Sequence, residues 1–525
     1  MKLLTHARIH TLDPHRPQAS VLAVDGGRVA AAGGEELLDA FPGAMLQDLD
    51  GRVVLPGLID AHLHLEEYAL SLQMVDCQGC SQAECLARVA ARARQTPPDG
   101  WIRGHGWNQN DWGGAWPSAA DLETAAPGRP VYLTARSLHL AWVSPTALRL
   151  AGVQAATPDP PGGSIQRDAH GQPTGLLFEN AIRLVEAVFP RPDAAALAEL
   201  YRTVLPGLAR LGLTGVHDFD RRTSFQALQL LHAYGELPLR VVKSLPRELL
   251  PQAVELGLRS GFGDDRLRIG PVKLFADGAL GPHTAAMLAP YVDDPQNRGI
   301  LVMDSRELFE TGQEAVAAGL SLAVHAIGDR AVHEVLEGFG RLRVYERERG
   351  LPALRHRIEH VQLLHPGDAA RLAELGLVAS MQPIHAPSDM PVAERSWGAR
   401  NALAYAWRTQ LQAGVRLAFG SDAPVESPNP FLGLHAAVTR RRQDGTPGVE
   451  GWHPEQRLTV GEALEGFTLG PAYAAGMDDR LGRLAAGCLA DLIVLDRDPF
   501  TCEPSELGSL QPQASMVDGE WVWQS

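Results

Sequence analysis

Cysteine is scarce, with 5 residues in a chain of 525. That excludes a scaffold built on disulfides. Three of the five, Cys77, Cys80 and Cys85, lie close together, but no fourth ligand stands at a spacing that would complete a metal knuckle. They read as ordinary reduced thiols. Long apolar runs are missing too. None reaches about 18 residues, which leaves no candidate membrane span. His6 and Arg8 interrupt the opening segment before an apolar core can form, so it does not read as a signal peptide, and cytoplasm is the expected compartment. Positive charge is in deficit: 47 Lys and Arg stand against 62 Asp and Glu, a formal net charge of −15. With no basic stripe, a nucleic-acid partner is not expected, nor is a membrane one. Arg440-Arg441-Arg442 reads as a solvated helix face. No Gly-x-Gly-x-x-Gly follows the first expected strand, which weakens a dinucleotide-binding reading.

What is present is a repeated local pattern. A helical stretch ends at a glycine, a short apolar strand follows, and the strand ends in a polar residue. Gly212 leads to His217-Asp218, Gly319 to His325, Gly376 to Gln382 and Gly414 to Asp422. Each glycine can close a helix in the left-handed conformation. Each apolar run is nearly continuous, as a parallel strand buried on both faces requires. Before Gly319, Asp304 can cap a helix and Glu307 can complete a capping box. Eight strands are expected, at 53–61, 214–219, 239–244, 269–275, 321–325, 355–361, 377–383 and 415–421. Polar residues recur at their C-terminal ends, where barrel enzymes place their chemistry. The expected fold is therefore α/β, a (β/α)8 TIM barrel. Length allows more than one domain.

Two regions break the repeat. Residues 1–52 alternate in strand fashion around the turn Asp25-Gly26-Gly27, and short strands return in 490–496 and 517–522. One small β-sandwich domain built from both termini, 1–52 with 480–525, accounts for both. The barrel would then hold 53–66 and 200–479. A long insertion, 67–199, follows the first barrel strand and is far longer than a normal strand–helix loop. It holds five of the ten tryptophans, Trp101, Trp107, Trp112, Trp116 and Trp142. A lid or a packed decoration would each explain it.

The chemistry sits at strand ends. His62 and His64, in Asp60-Ala61-His62-Leu63-His64, lie two apart on an extended strand, so both project the same way and can hold one ion. Imidazole suits zinc, iron, manganese or nickel. His325, His360, Asp422 and Lys273 lie at or near the ends of other expected strands. A closed barrel brings these ends into one small volume.

Together these residues carry a resemblance. The chain resembles the amidohydrolase superfamily, and within it the branch that includes the N-substituted formamide deformylases. The resemblance rests on Pro56-Gly57-Leu58-Ile59-Asp60-Ala61-His62-Leu63-His64, Arg103-Gly104-His105-Gly106-Trp107 and Val272-Lys273-Leu274-Phe275-Ala276-Asp277-Gly278. His325-Ala326-Ile327-Gly328-Asp329-Arg330-Ala331, Arg357-Ile358-Glu359-His360 and Gly420-Ser421-Asp422-Ala423-Pro424 complete it. It implies one or two divalent ions, zinc first, with manganese or iron as alternatives. His62 and His64 would bind one ion with Asp422. His325 and His360 would bind a second. Lys273 would carry a carbamate derived from carbon dioxide and bridge the two. Divalent ions there would activate water and polarise a carbonyl. Asp422 would carry a proton from water to the leaving nitrogen. Asp277 and Asp329 would act around the ligands. His105, Trp107, His139 and Asp277 are the candidate substrate contacts, although Ser144-Pro145 stands where the family continues with an asparagine, which departs from its pattern. The expected activity is hydrolysis of an amide or formamide-type C–N bond in a small, partly apolar molecule. Deamination or ester hydrolysis by the same site, and a noncatalytic scaffold on the same barrel, are the alternatives. A homodimer is the default assembly.

Overall fold

The computed structural model describes residues 1–114, 116–135 and 140–525. It resolves into two compact units: Met1–Tyr68 with Ala194–Ser525, and Ala69–Asp193.

The larger unit contains an eight-stranded parallel sheet whose strands neighbour one another in chain order. They are β1 (Leu58–Leu63), β2 (Leu213–Asp218), β3 (Arg240–Pro246), β4 (Leu267–Phe275), β5 (Leu322–Ala326), β6 (Arg357–His360), β7 (Val378–Met381) and β8 (Arg416–Phe419). This is the expected TIM barrel. The sheet curls until its first and last strands meet at the C-terminal end. There the Asp422 amide donates to the His62 carbonyl at 2.7 Å and the His64 amide donates to the Ala423 carbonyl at 2.8 Å. Gly420 makes that meeting possible, since a Cβ there would stand 2.5 Å from the His62 nitrogen. The glycines expected to end helices, Gly212, Gly319, Gly376 and Gly414, all have positive φ. Asp304 caps the helix α1 (Ser305–Ala317), accepting from the Glu307 amide at 2.8 Å. Glu307 does not close a capping box. Its carboxylate pairs with Arg247 at 2.6 Å instead.

The termini form two further sheets. One has four strands drawn from residues 2–48. The other has six, and pairs Leu492–Leu495, Pro512–Val517 and Glu520–Gln524 with Val53–Pro56, Arg8–His10 and Gln18–Ala19. Leu4, Leu22, Ile9, Val54, Leu492 and Met516 share one core between them. The expected strand 53–61 is thus two strands. Val53–Pro56 pairs with Leu492–Leu495 in the terminal sheet, and only from Leu58 does the chain enter the barrel. The break falls at Pro56-Gly57. A proline cannot donate to a ladder, and a side chain at Gly57 would collide with Thr214, 2.2 Å from where its Cβ would lie.

The smaller unit is a six-stranded mixed sheet with its own core, in which Val89, Trp107, Trp142 and Leu176 pack. Cys77, Cys80 and Cys85 lie in that core, and all five cysteines are free thiols. Arg440 does not lie on a solvated face. It is buried, with its guanidinium 4.4 Å from the Trp407 ring centroid, and donates to the carbonyls of Trp452, Tyr405 and Ala404. The helix it closes turns it inward, because Arg440 itself takes the left-handed conformation. No described helix is long and apolar enough to cross a membrane.

Candidate metal centre

Strand alternation delivers His62 and His64 to the mouth of the barrel on one side of β1. Their ring centroids lie 5.7 Å apart. Asp422 arrives from the loop after β8. Its Oδ1 stands 3.5 Å from His62 Nε2 and 3.6 Å from His64 Nε2. His360, at the end of β6, brings its ring to 5.1 Å from His62 and 4.5 Å from His325. Lys273 lies on β4, its Nζ 4.8 Å from the centroid of Phe219, a ring that stacks on His62 at 4.1 Å. All six residues expected to form the centre therefore converge. Two groups among the described residues have ligand atoms close enough to share a cation: His62, His64 and Asp422, and His360, His385 and Asp422. Neither group includes Lys273 or His325.

Each imidazole is aimed by a partner on its far nitrogen. His62 Nδ1 donates to Glu359 Oε2 at 2.6 Å, and His64 Nδ1 faces Asp220 Oδ1 at 3.1 Å. His360 Nδ1 faces Gln382 Oε1 at 2.8 Å. His325 reverses the pattern: its Nε2 faces the Gly278 carbonyl at 2.8 Å, which leaves Nδ1 as the spare nitrogen. An acceptor on one nitrogen fixes the proton there and frees the lone pair of the other, the usual arrangement around a metal. His62 Nε2 is buried, with no hydrogen-bond partner among the described residues. A buried nitrogen lone pair beside a carboxylate, with nothing donating to either, is what a cation would satisfy. The donor set, imidazole with carboxylate, suits a divalent transition metal.

Electrostatics agree with that fit. Burial, with the nearby Lys273 charge, holds His62 well below the ordinary imidazole range, and burial does the same to His325, at about 3. These two rings are therefore neutral, the form that ligates. His64 is raised instead: burial would lower it, but its hydrogen bond to Asp220 and the Asp220 and Asp422 charges outweigh that. Burial pushes the Lys273 amine down to about 8, against the pull of Glu359 and Asp422. Burial raises the Asp422 carboxyl. Glu359 likewise moves against burial: burial would raise it, but the Arg357 and Lys273 charges outweigh that and hold it low. The backbone is strained here as well. His360 and Asp422 sit at φ +76° and +59°, uncommon for residues with side chains and typical of functional sites.

Asp277 accepts from the amides of Ala286, Ile327 and Gly328 at 2.8–3.0 Å and lies 3.6 Å from His325 Nε2, so it ties together the loops around that ring. Asp329 accepts from the Leu288 amide at 2.8 Å. Trp107 is wholly buried in the core of the smaller unit and donates to the Leu133 carbonyl at 2.9 Å. His105 is exposed on a strand of the same unit. His139 lies outside the described residues. Four groups at the centre were missed in the sequence: Glu359, Asp220, Asp60 and His385. Glu359 stands next to His360 and could have been found there. Asp60 lies two before His62 and accepts from the amides of His62 and Ser421 at 3.0 and 3.1 Å, holding β1 to the end of β8. His385 follows β7 by four residues, in Gln382-Pro383-Ile384-His385.

A model of the amidohydrolase family matches residues 46–523. The chain is 34% identical to Protein LONG AFTER FAR-RED 3 of Arabidopsis thaliana, over 99% of this chain and 91% of that one. It is 30% identical to the N-substituted formamide deformylase of Arthrobacter pascens, over 98% of this chain and 97% of that one. Among solved structures, an uncharacterized metal-dependent hydrolase from Pyrococcus furiosus matches with a TM-score of 0.81 at 32% identity, covering 95% of this chain and 100% of that one.

Proposed function

We propose, from the premise that the chain belongs to the amidohydrolase family, that this metal-dependent hydrolase cleaves an amide or formamide-type C–N bond of a small organic molecule. The observation that carries this reading is the unpartnered Nε2 of His62, 3.5 Å from Asp422. His62, His64 and Asp422 would hold one divalent ion, zinc first and manganese or iron as alternatives. His325 and His360 would hold a second, with Lys273 between them as a carbamate. A neutral amine is needed to take up carbon dioxide, and burial brings Lys273 toward that state. When bound, a divalent cation supplies Lewis acidity toward water and a carbonyl oxygen. The chain supplies the rest. Glu359 and Asp220 hold the His62 and His64 rings in place. Asp422, with its basicity raised by burial, accepts a proton from water and returns it to the departing nitrogen, which then leaves as a neutral amine. Phe275 supports a partly apolar substrate. It ends β4 beside Lys273 and His325, and 49% of its surface is open.

The test is a hydrolysis screen of N-acyl, N-formyl and cyclic amides, using enzyme reconstituted separately with zinc, manganese and iron. His62→Ala and Asp422→Asn should each lower turnover at least about a hundredfold. Near-normal rates in folded variants of defined metal content would overturn the assignment.

A further inference from the structure

His385 has no place in the scheme above. It is the first residue of the helix α2 (His385–Trp397), just past β7, and is 6% exposed. Its ring lies parallel to that of His360, 6.4 Å away, and it falls in the same close group as His360 and Asp422. Its far nitrogen sets it apart from the other imidazoles. His62 and His360 each present Nδ1 to an oxygen, which leaves a lone pair on Nε2. His385 presents Nδ1 to the amide nitrogen of Gln362, at 3.4 Å. With the Gln362 amide in this orientation, Nδ1 accepts and Nε2 carries the proton. That Nε2 is buried and meets no acceptor among the described residues. A nitrogen bearing hydrogen cannot ligate a cation, and a buried donor left unpaired costs about 1–3 kcal/mol. It persists where something from outside supplies the acceptor.

We propose that His385 is a catalytic residue that donates Nε2–H to the carbonyl oxygen of the scissile amide. The inference rests on the amide-hydrolysis reading of the same centre. As water adds to the carbonyl carbon, the C=O π pair moves onto oxygen and Asp422 takes the water proton. The hydrogen bond from His385 strengthens as that oxygen gains charge. When the oxygen re-forms its double bond, the C–N bond breaks and the nitrogen takes the proton from Asp422. His385 keeps its own proton throughout. Gln362 is then a positioning residue, holding the ring in the tautomer that donates.

Three variants test this: His385→Phe, His385→Gln as a smaller change should the first fail to fold, and Gln362→Glu. Metal content and metal affinity, read by mass spectrometry and chelator competition, should match the unaltered protein in both His385 variants. Turnover should fall about 10²–10³-fold with KM little changed, the loss expected for one oxyanion donor. A phosphinate analogue of the substrate should bind more weakly by a similar factor. Gln362→Glu places an acceptor against Nδ1, moves the proton there, and should lower turnover while the imidazole remains. Loss of one metal equivalent in the His385 variants would make His385 a ligand and overturn the proposal. Unchanged turnover would make it a bystander. Asp422→Asn run alongside separates the two readings. If it is inactive while His385→Phe is fully active, only the His385 assignment fails. If it too is fully active, the hydrolytic centre itself is wrong.

Discussion

Replacing Glu359 by glutamine should damage folding more than it damages metal binding. Glu359 is wholly buried and serves His62, Arg357 and Ser380 at once. One oxygen accepts from His62 Nδ1 at 2.6 Å, and both accept from Arg357. Glutamine can still accept from His62, but the charge-assisted bond becomes an ordinary one of roughly half the strength. Removing such support from a ligating histidine costs about 10–100-fold in metal affinity, or about 1.4–2.7 kcal/mol. The larger effect falls on Arg357. It is 1% exposed and donates also to His217 at 2.8 Å and Ser380 at 2.7 Å, both uncharged partners there. Without Glu359 its charge is stranded in the barrel, at about 3–5 kcal/mol. Urea unfolding of metal-free protein and chelator competition measure the two losses separately. The double variant Arg357→Met/Glu359→Gln sharpens the test. With both charges gone, much of the folding stability should return, while metal affinity stays low. Metal-free Glu359→Gln as stable as the unaltered protein, or recovery of metal affinity in the double variant, would refute the reasoning.

Two further outcomes follow from the geometry. Gly420→Ala puts a Cβ 2.5 Å from the His62 nitrogen and 2.6 Å from Asp60 Oδ1, where backbone cannot yield cheaply. It should cost about 1–3 kcal/mol as an overpacked site and weaken metal binding, and an unchanged melt with unchanged affinity would contradict the tight closure. Hydrogen bonds from Arg408, at 2.6 and 2.7 Å, hold the Glu462 carboxyl at about 2 against an ordinary 4.5. A carboxyl depressed on folding stabilises the protein fully above its unfolded value and ceases to do so as pH falls through the folded one. The gap in melting temperature between the unaltered protein and Glu462→Gln should therefore be widest near neutrality and narrow as pH drops below about 4.5. A constant gap would mean the ion pair contributes nothing.

The barrel was legible because it repeats. Glycine, apolar run and terminal polar residue recur where strands β2, β5, β7 and β8 begin and end, and the two-residue spacing of His62 and His64 follows from strand geometry alone. His325 and Asp422 could be read for the same reason: each follows an apolar run. His360 follows a charged stretch, and only the family motif Arg357-Ile358-Glu359-His360 pointed to it. What escaped has no such periodicity. His385 lies beyond its strand, inside the first turn of a helix, and its approach to His360 depends on how that helix sets down. Asp220 reaches His64 across 156 positions of chain. Val53–Pro56 is as apolar as a barrel strand, and only its pairing with Leu492–Leu495 reveals where it belongs. Arg440 shares its charge with two neighbours in a row, and nothing in the run marks which of the three turns toward Trp407.

The split at Gly57 ties the far end of the chain to its chemistry. A single stretch of ten residues, Val53 to His62, roughly 33 Å if fully extended, starts as a rung of the terminal sheet and finishes by presenting His62. Its first half is clasped by Leu492–Leu495, and the Gly57 amide itself hangs on the Asp491 carbonyl at 2.9 Å. The C-terminal tail thus works as an anchor for the histidine-bearing strand. Trimming it would leave that strand moored at one end only, and damage dealt far from the barrel mouth would surface as slack in how His62 is held.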